Sequence, residues 1–226
     1  VKFIFGGEEL LPNIAKNFVK FDNIIVYNVY GPTETTVDVS IQTYADVGQI
    51  DKINIGKPVN NLEIYILDKN SNLCPIGIIG EINIAGDGVA RGYLNNEDLT
   101  NEFFIPNPFS QGDYDKVIYK TCDYARFLPD GNIEYIGRID NQVKIRGFRV
   151  ELGEIENTLR NMDNIVDAVC ITIKENKKSN SNVLSAYFVA YGELDILSIK
   201  EILWRELPNY MVPSFITQID EIPLTI

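Results

Sequence analysis

Between about residue 53 and residue 136 the chain repeats one pattern, short runs of alternating apolar residues separated by Gly, Pro, Asn and Asp turns; LEIYILD, GEINIAG, VIYKTCDYARFL and NIEYIG are examples. Period-two alternation broken at close intervals predicts a mostly β subdomain. Different textures flank it. VKFIFGG reads as a strand entering a glycine turn, LLPNIAKNFVKF (10–21) as a short helix and NIIVYNVY (23–30) as a buried strand, which together make a β-α-β unit. After Gly137, ELGEIENTLRNM reads as a helix, and DAVCITIKEN and VLSAYFVAY as strands parted by a Lys/Ser/Asn loop. DILSIKEILWREL reads as a second helix, with Asp195 placed to cap its start. The expected fold is therefore α/β. An α/β unit with a mostly β subdomain occupies residues 1–139, and a small α+β unit occupies 140–226, with the boundary near Asp140.

Composition removes several kinds of chemistry. The 226 residues hold 20 basic and 32 acidic side chains, a net charge of −12, and the acids are spread along the chain. That balance disfavours nonspecific contact with nucleic acid or anionic membrane. No apolar run approaches the roughly 20 residues of a spanning helix and no charged-then-apolar leader opens the chain, so a cytoplasmic location is expected. With no histidine, Ser-His and Cys-His nucleophile pairs and histidine-ligated metals are excluded within this chain. Cys74, Cys122 and Cys170 are too scattered to suggest zinc or a disulfide framework.

The segment Asn28-Val29-Tyr30-Gly31-Pro32-Thr33-Glu34 gathers an aromatic face, a forced turn, a hydroxyl and a carboxylate. It suits a nucleotide: Tyr30 for a base, Thr33 for a phosphate oxygen and Glu34 for magnesium. It equally suits the end of a buried strand. In GRIDNQVKIRGFRVELGEIE (137–156), Arg138, Lys144, Arg146 and Arg149 concentrate positive charge in an acidic chain. QVKIRGFRVEL fits a hairpin bent at Gly147, so several of these cations would share a face, either as an anion site or paired with the acids that follow. GDGVARG (86–92) has Gly-x-Gly without a following helix and reads as turn chemistry rather than a dinucleotide fingerprint. Asp123 fits either a sugar diol or a turn cap.

In this order, NVYGPTETTV (28–37), GEINIAGDGVARGYL (80–94), YKTCD (119–123), the 137–156 segment and LPNYMVP (207–213) resemble the adenylate-forming superfamily, most closely the amino-acid adenylation domains of nonribosomal peptide synthetases. The resemblance implies activation of an amino acid with ATP and Mg2+ to an aminoacyl-AMP, then transfer to the phosphopantetheine thiol of a peptidyl carrier protein. It makes residues 1–139 the second half of a large domain. By resemblance Tyr30 stacks on adenine, Asn28 and the Val29 backbone read its amino group, and Gly7 and Glu8 line the opposite wall. Gly31 and Pro32 shape the turn, Thr33 holds the α-phosphate and Glu34 the metal. Asp123 grips the ribose with Arg138 beside it, Asp140 is a hinge, and the hairpin bearing Lys144 serves thioester formation. Ile4, Gly6, Val29, Val37 and Asp38 line the amino-acid pocket, where a buried Asp38 favours a hydrogen-bond-donating side chain such as that of glutamine or a protonated glutamate.

Two departures stand out. The family has glycine where this chain has Cys122, which bears on the local backbone angle. The family's phosphate-binding loop and catalytic lysine are expected upstream of Val1 and after residues 223–226, so the chain as given is expected to be inactive in adenylation. A stand-alone ligase charging a carrier or coenzyme A, and a noncatalytic nucleotide-binding module, are the competing readings.

Overall fold

The computed structural model describes residues 1–110, 112, 115–140, 142–145, 147–174 and 182–223. It divides into two compact units, Val1–Asp140 and Asn141–Ile226.

The first unit opens with β1 (Lys2–Phe5), α1 (Pro12–Val19) and β2 (Ile25–Tyr30), and β1 and β2 run parallel from Lys2↔Ile25 to Phe5↔Asn28. Pro12 pre-sets the first helical turn, where no amide partner is needed. The helix buries Ala15 and Val19, while Phe18 packs on Phe3 and Phe5, with ring centroids at 4.6 and 5.4 Å. Alternation along β1 therefore turns Ile4 to the sheet face opposite the helix. Antiparallel β3 (Ser40–Tyr44) and the short β4 (Lys57–Pro58) complete this sheet in the order β1-β2-β3-β4.

The expected β subdomain is a five-stranded sheet of β5 (Leu62–Leu67), β6 (Gly80–Gly86), β7 (Phe104–Pro106), β8 (Val117–Phe127) and β9 (Ile133–Arg138). Its order is β5-β6-β8-β7, with β9 also on β8. Its core includes Val39, Ile64, Ile66, Ile82, Ile84 and Ile133, each such fully buried side chain contributing roughly 1.5–3 kcal/mol. A short helix, α2 (Glu97–Phe103), interrupts the strands and was not anticipated; Asn96 caps it and Glu97 and Asp98 occupy its first turn. The two sheets are stitched at Gly56, whose carbonyl accepts from Ile133 N at 2.9 Å. Gly56 has φ +77° and lies so close to Ile41 that a Cβ would fall 1.9 Å from its carbonyl oxygen, which leaves room for no other residue.

In the second unit, β10 (Gln142–Ile145) and β11 (Phe148–Glu151) form the expected antiparallel hairpin with Gly147 at φ +80°. Then come α3 (Leu152–Arg160), β12 (Ile165–Lys174), β13 (Asn182–Ala190), α4 (Ile196–Glu206) and β14 (Phe215–Gln218). The strands form a sheet in the order β12-β13-β14, with β14 parallel to β13. The helices bury Ile155, Leu159, Ile199 and Leu203 against Ala168, Ala186 and Phe188. Asp195 caps α4 as anticipated, accepting from Leu197 N at 3.2 Å and Ser198 N at 3.1 Å. Residues 175–181 of the Lys/Ser/Asn loop and Arg146 lie outside the described residues. No described helix is long and apolar enough to cross a membrane.

Candidate active site

β8 presents Tyr119, Thr121, Asp123 and Ala125 as successive buried residues, as alternation requires. Two irregularities then adjust what these side chains meet. On one side the β6 pairing shifts between Glu81 and Asn83, so that Glu81 faces Tyr124 and Asn83 faces Lys120. At this bulge Cys122 takes φ +59°, and its N–H donates to Glu81 Oε1 at 3.1 Å. The glycine expected here is replaced by a cysteine held in the left-handed region that glycine adopts without strain. Burial, with help from Glu81 and Asp140, pushes the Cys122 thiol up to about 11, so it is a poor nucleophile at neutral pH. Because a left-handed non-glycine residue costs about 1–2 kcal/mol and glycine loses about 0.5–1 kcal/mol to chain entropy, Cys122→Gly is expected to stabilise the first unit by about 0.5 kcal/mol. Urea unfolding checks this; a loss of 1 kcal/mol or more refutes it.

On the other side, the β9 pairing shifts between Tyr124 and Ala125: Tyr124 faces Gly137 but Ala125 faces Tyr135. The extra residue brings side chains of odd spacing, Tyr135 and Arg138, onto one carboxylate. Asp123 is almost fully buried, at 3 % exposure. Its Oδ1 accepts from Arg138 Nη1 at 2.9 Å and Tyr135 Oη at 3.1 Å, and its Oδ2 from Tyr30 Oη at 2.5 Å. Burial, followed by the Asp123 charge, raises the Tyr30 and Tyr135 hydroxyls above the usual phenol range, so both remain donors. Arg138 also forks onto Asp140, with Nε–Oδ1 and Nη2–Oδ2 both 2.7 Å, and reaches the Thr121 carbonyl at 3.2 Å. Burial alone would lower the Arg138 pKa, but Asp140 and Asp123 more than offset it and hold the guanidinium charged.

A second cluster hangs from the same turn. Thr33–Thr35 form a single 3-10 turn in which Thr33 is exposed and Glu34 and Thr35 are buried. Glu34 Oε1 accepts from Tyr93 Oη at 2.8 Å, and that hydroxyl lies 3.4 Å from Tyr119 Oη on β8. The GPTE turn is thus tied toward β8 at Tyr30 and at Glu34, four residues apart. Gly31 permits this closeness, because a Cβ there would lie 2.1 Å from the Val37 carbonyl oxygen. Beyond the turn, Val37 has φ +71° and sits between the Thr36 carbonyl and the Asp38 N–H that donates to it at 2.9 Å. This is a γ-turn of the strained hand on a β-branched residue.

The other expected residues are placed as follows. Asn28 is buried and its amide donates to the Asn54 carbonyl at 2.8 Å. Pro32 caps the 3-10 turn at its carbonyl, which accepts from Thr35 N at 3.1 Å, and Gly7 and Glu8 are exposed just past β1. Ile4, Gly6 and Val29 share the sheet face away from α1, with Gly6 packed so closely on Val29 that a Cβ would meet its Cγ2 at 2.6 Å. Val37 is 61 % exposed. The expectation of a buried Asp38 is corrected: Asp38 is exposed, because the left-handed pair Thr36 and Val37 breaks the strand alternation that would have turned it inward. The expectation that the hairpin cations share a face holds for Lys144 and Arg149, which are register partners. Arg149 Nε also lies 3.8 Å from Glu151 Oε1. Arg138 lies on β9 rather than on this hairpin, and Arg146 is outside the described residues. A cleft of about 620 Å³ in the second unit is lined by residues of α3, α4 and the segments beside them, among them Glu154, Met162, Ser198 and Arg205, and by none of the expected site residues.

The donor chemistry fits the groups that the motifs imply. No described group of three or more His, Cys, Asp or Glu could hold a metal by itself, and a lone buried carboxylate such as Glu34 suits Mg2+, which is usually bound by one or two carboxylates together with nucleotide phosphates.

Residues 1–94 match the family model described as AMP-binding enzyme. Bacitracin synthase 3 of Bacillus licheniformis is 47 % identical over 228 residues, and tyrocidine synthase 3 of Brevibacillus parabrevis 46 % over 227. Each alignment covers 99 % of this chain, which spans only 4 % and 3 % of those proteins. Among solved structures, an artificially fused adenylation-PCP di-domain of a nonribosomal peptide synthetase (NRPS) from Klebsiella oxytoca aligns with TM-score 0.81 and 28 % identity over 95 % of this chain and 39 % of its own. A four-domain nonribosomal peptide synthetase bound to AMP and glycine aligns with TM-score 0.55 and 40 % identity over 98 % of this chain and 16 % of its own. The chain belongs to the AMP-binding, adenylate-forming enzymes and has their mixed α/β fold. Within that class its relatives are nonribosomal peptide synthetases, and the part of them it matches is the adenylation domain.

Proposed function

We propose that this chain supplies one wall of an adenylating site in which ATP activates an amino acid as aminoacyl-AMP before transfer to the phosphopantetheine thiol of a peptidyl carrier protein. The observation that carries this reading is the convergence of Tyr30, Tyr135 and Arg138, drawn from segments up to 108 positions apart, on the buried carboxylate of Asp123.

In this reading Asp123 takes the ribose hydroxyls as acceptor, with the two phenols and Arg138 fixing its rotamer so that little reorganisation is needed. Tyr30, held by its hydroxyl, presents its ring to adenine. Thr33, exposed on the turn, donates to the α-phosphate, and Glu34 is the metal ligand. Bound Mg2+ supplies charge neutralisation on the phosphates. Attack by the amino-acid carboxylate on phosphorus requires alignment more than a protein nucleophile, which suits a chain without histidine. Ile4, Gly6, Val29, Val37 and Asp38 remain our candidates for the amino-acid side, Lys144 for the thioester step and Asp140 for the hinge.

Amino-acid-dependent ATP–pyrophosphate exchange by the full-length protein, measured over an amino-acid panel that includes glutamine and glutamate, tests the reading. Exchange with one or a few amino acids supports it, and exchange with none contradicts it. Asp140→Pro is expected to retain most of that exchange while thioester transfer falls at least tenfold, since a fixed φ opposes a hinge rotation; equal loss of both refutes the hinge.

A further inference from the structure

The 86–92 segment, read above as turn chemistry, and Tyr93 just after it hold the 33–36 turn at three points. Thr36 Oγ1 donates to the Gly88 carbonyl at 2.7 Å, Ala90 N to the Glu34 carbonyl at 2.8 Å, and Tyr93 Oη to Glu34 Oε1 at 2.8 Å. Gly88 itself is pressed against the turn, where a Cβ would lie 3.0 Å from the Thr35 carbonyl oxygen.

Tyr93 is in turn rigidly seated. Its N–H donates to Thr100 Oγ1 at 2.9 Å, and that hydroxyl donates to the Asn96 carbonyl at 2.8 Å. Its ring packs edge-on against Phe104 at 5.4 Å and Phe103 at 6.5 Å. Gly92 makes the approach possible, since a Cβ there would lie 2.4 Å from Thr100 Cγ2. Glu34 is 8 % exposed, and a long carboxylate side chain in that setting has rotamers to choose from unless something selects one.

We propose that Tyr93 is a positioning residue for Glu34, whose hydroxyl fixes the carboxylate in the orientation that receives the nucleotide's divalent cation. This rests on the reading above that Glu34 is the metal ligand. A phenol suits the task because it is neutral: it orients the carboxylate without cancelling the charge that a cation needs, as lysine or arginine in its place would. Mg2+ demands near-ideal octahedral geometry at short distances, so a misdirected carboxylate is costly.

The test uses Mn2+ as a probe, titrated against the full-length protein saturated with ATP and read from the electron paramagnetic resonance signal of free Mn2+. Tyr93→Phe keeps the ring and its packing. It is expected to raise the Mn2+ Kd about tenfold, the lower end for loss of an outer-shell partner, with ATP affinity in metal-free buffer within twofold of wild type. An unchanged Mn2+ Kd overturns the proposal. So does a parallel loss of metal-free ATP affinity, which would mark Tyr93 as structural support only. Glu34→Gln in the same titration separates the two layers: if it weakens Mn2+ and Tyr93→Phe does not, only the positioning role falls, whereas if Glu34→Gln leaves Mn2+ binding intact, the metal-ligand reading falls and the positioning role with it.

Discussion

Asp123→Ala is expected to destabilise the first unit by about 3–5 kcal/mol and to abolish measurable AMP binding. The stability figure follows from what is left behind. Arg138 and Asp123 form an ion pair with side-chain exposures of 15 % and 5 %, and removing one partner of a buried pair costs about 3–5 kcal/mol because the other charge stays buried. Tyr30 and Tyr135 each lose their hydrogen-bond acceptor at the same time. Asp140 still grips the guanidinium, which places the expected cost toward the lower bound. Urea unfolding followed by tyrosine fluorescence reports mainly on this unit, which holds nine of the 12 tyrosines, while the emission of Trp204 follows the other. Asp123→Asn keeps the shape and one acceptor oxygen and should cost less; a loss below 1 kcal/mol for the alanine variant would mean that the pair is not organising the site.

Gly31→Ala is the second large expected effect, about 3 kcal/mol of destabilisation. The added Cβ would sit 2.1 Å from the Val37 carbonyl oxygen and 2.9 Å from Val39 Cγ2. Neither can yield easily: Val39 is buried, and its N–H donates to the Tyr30 carbonyl at 2.8 Å. The backbone on one side of the turn must move, at a cost typical of overpacking with lost hydrogen bonds. Because Tyr30 and Glu34 flank Gly31, both tethers shift with it. Thermal unfolding together with metal-dependent ATP binding checks this, and a variant with wild-type values for both would show that the turn is more yielding than its contacts indicate.

The strands and long helices were legible because period-two and period-3.6 patterns report burial directly. β1, α1 and β2 fall inside the segments the pattern marks out, and Asp195 caps α4 as its position before an apolar-periodic run indicates. α2 escaped because its seven residues bury none of their side chains, so no apolar stripe exists; Asn96 followed by two acids was the only signal. The partners of the site residues escaped for a different reason. Tyr135 and Arg138 are three apart on a strand and would face opposite ways, until the β8–β9 bulge restores them to one side. Tyr93 meets Glu34 from 59 positions away, a contact that no local pattern encodes. Burial of Asp38 was expected from the resemblance, and the left-handed pair Thr36 and Val37 that precedes the exposed Asp38 has no signal in the local pattern. At Cys122 the sequence left the backbone angle open, because the resembled family has glycine there; the backbone keeps the left-handed angle, φ +59°, despite the side chain.

The central claim, that the face built from Tyr30, Glu34 and Asp123 holds an adenine nucleotide, is tested most directly by titrating AMP into the isotope-labelled protein and following amide and tyrosine-ring resonances. Saturable shifts are expected at Tyr30, Thr33, Asp123 and Tyr135, with Overhauser contacts from the Tyr30 ring to adenine protons, all lost in Asp123→Ala. Saturating AMP that leaves those resonances unmoved, or that moves them equally in Asp123→Ala, would contradict it.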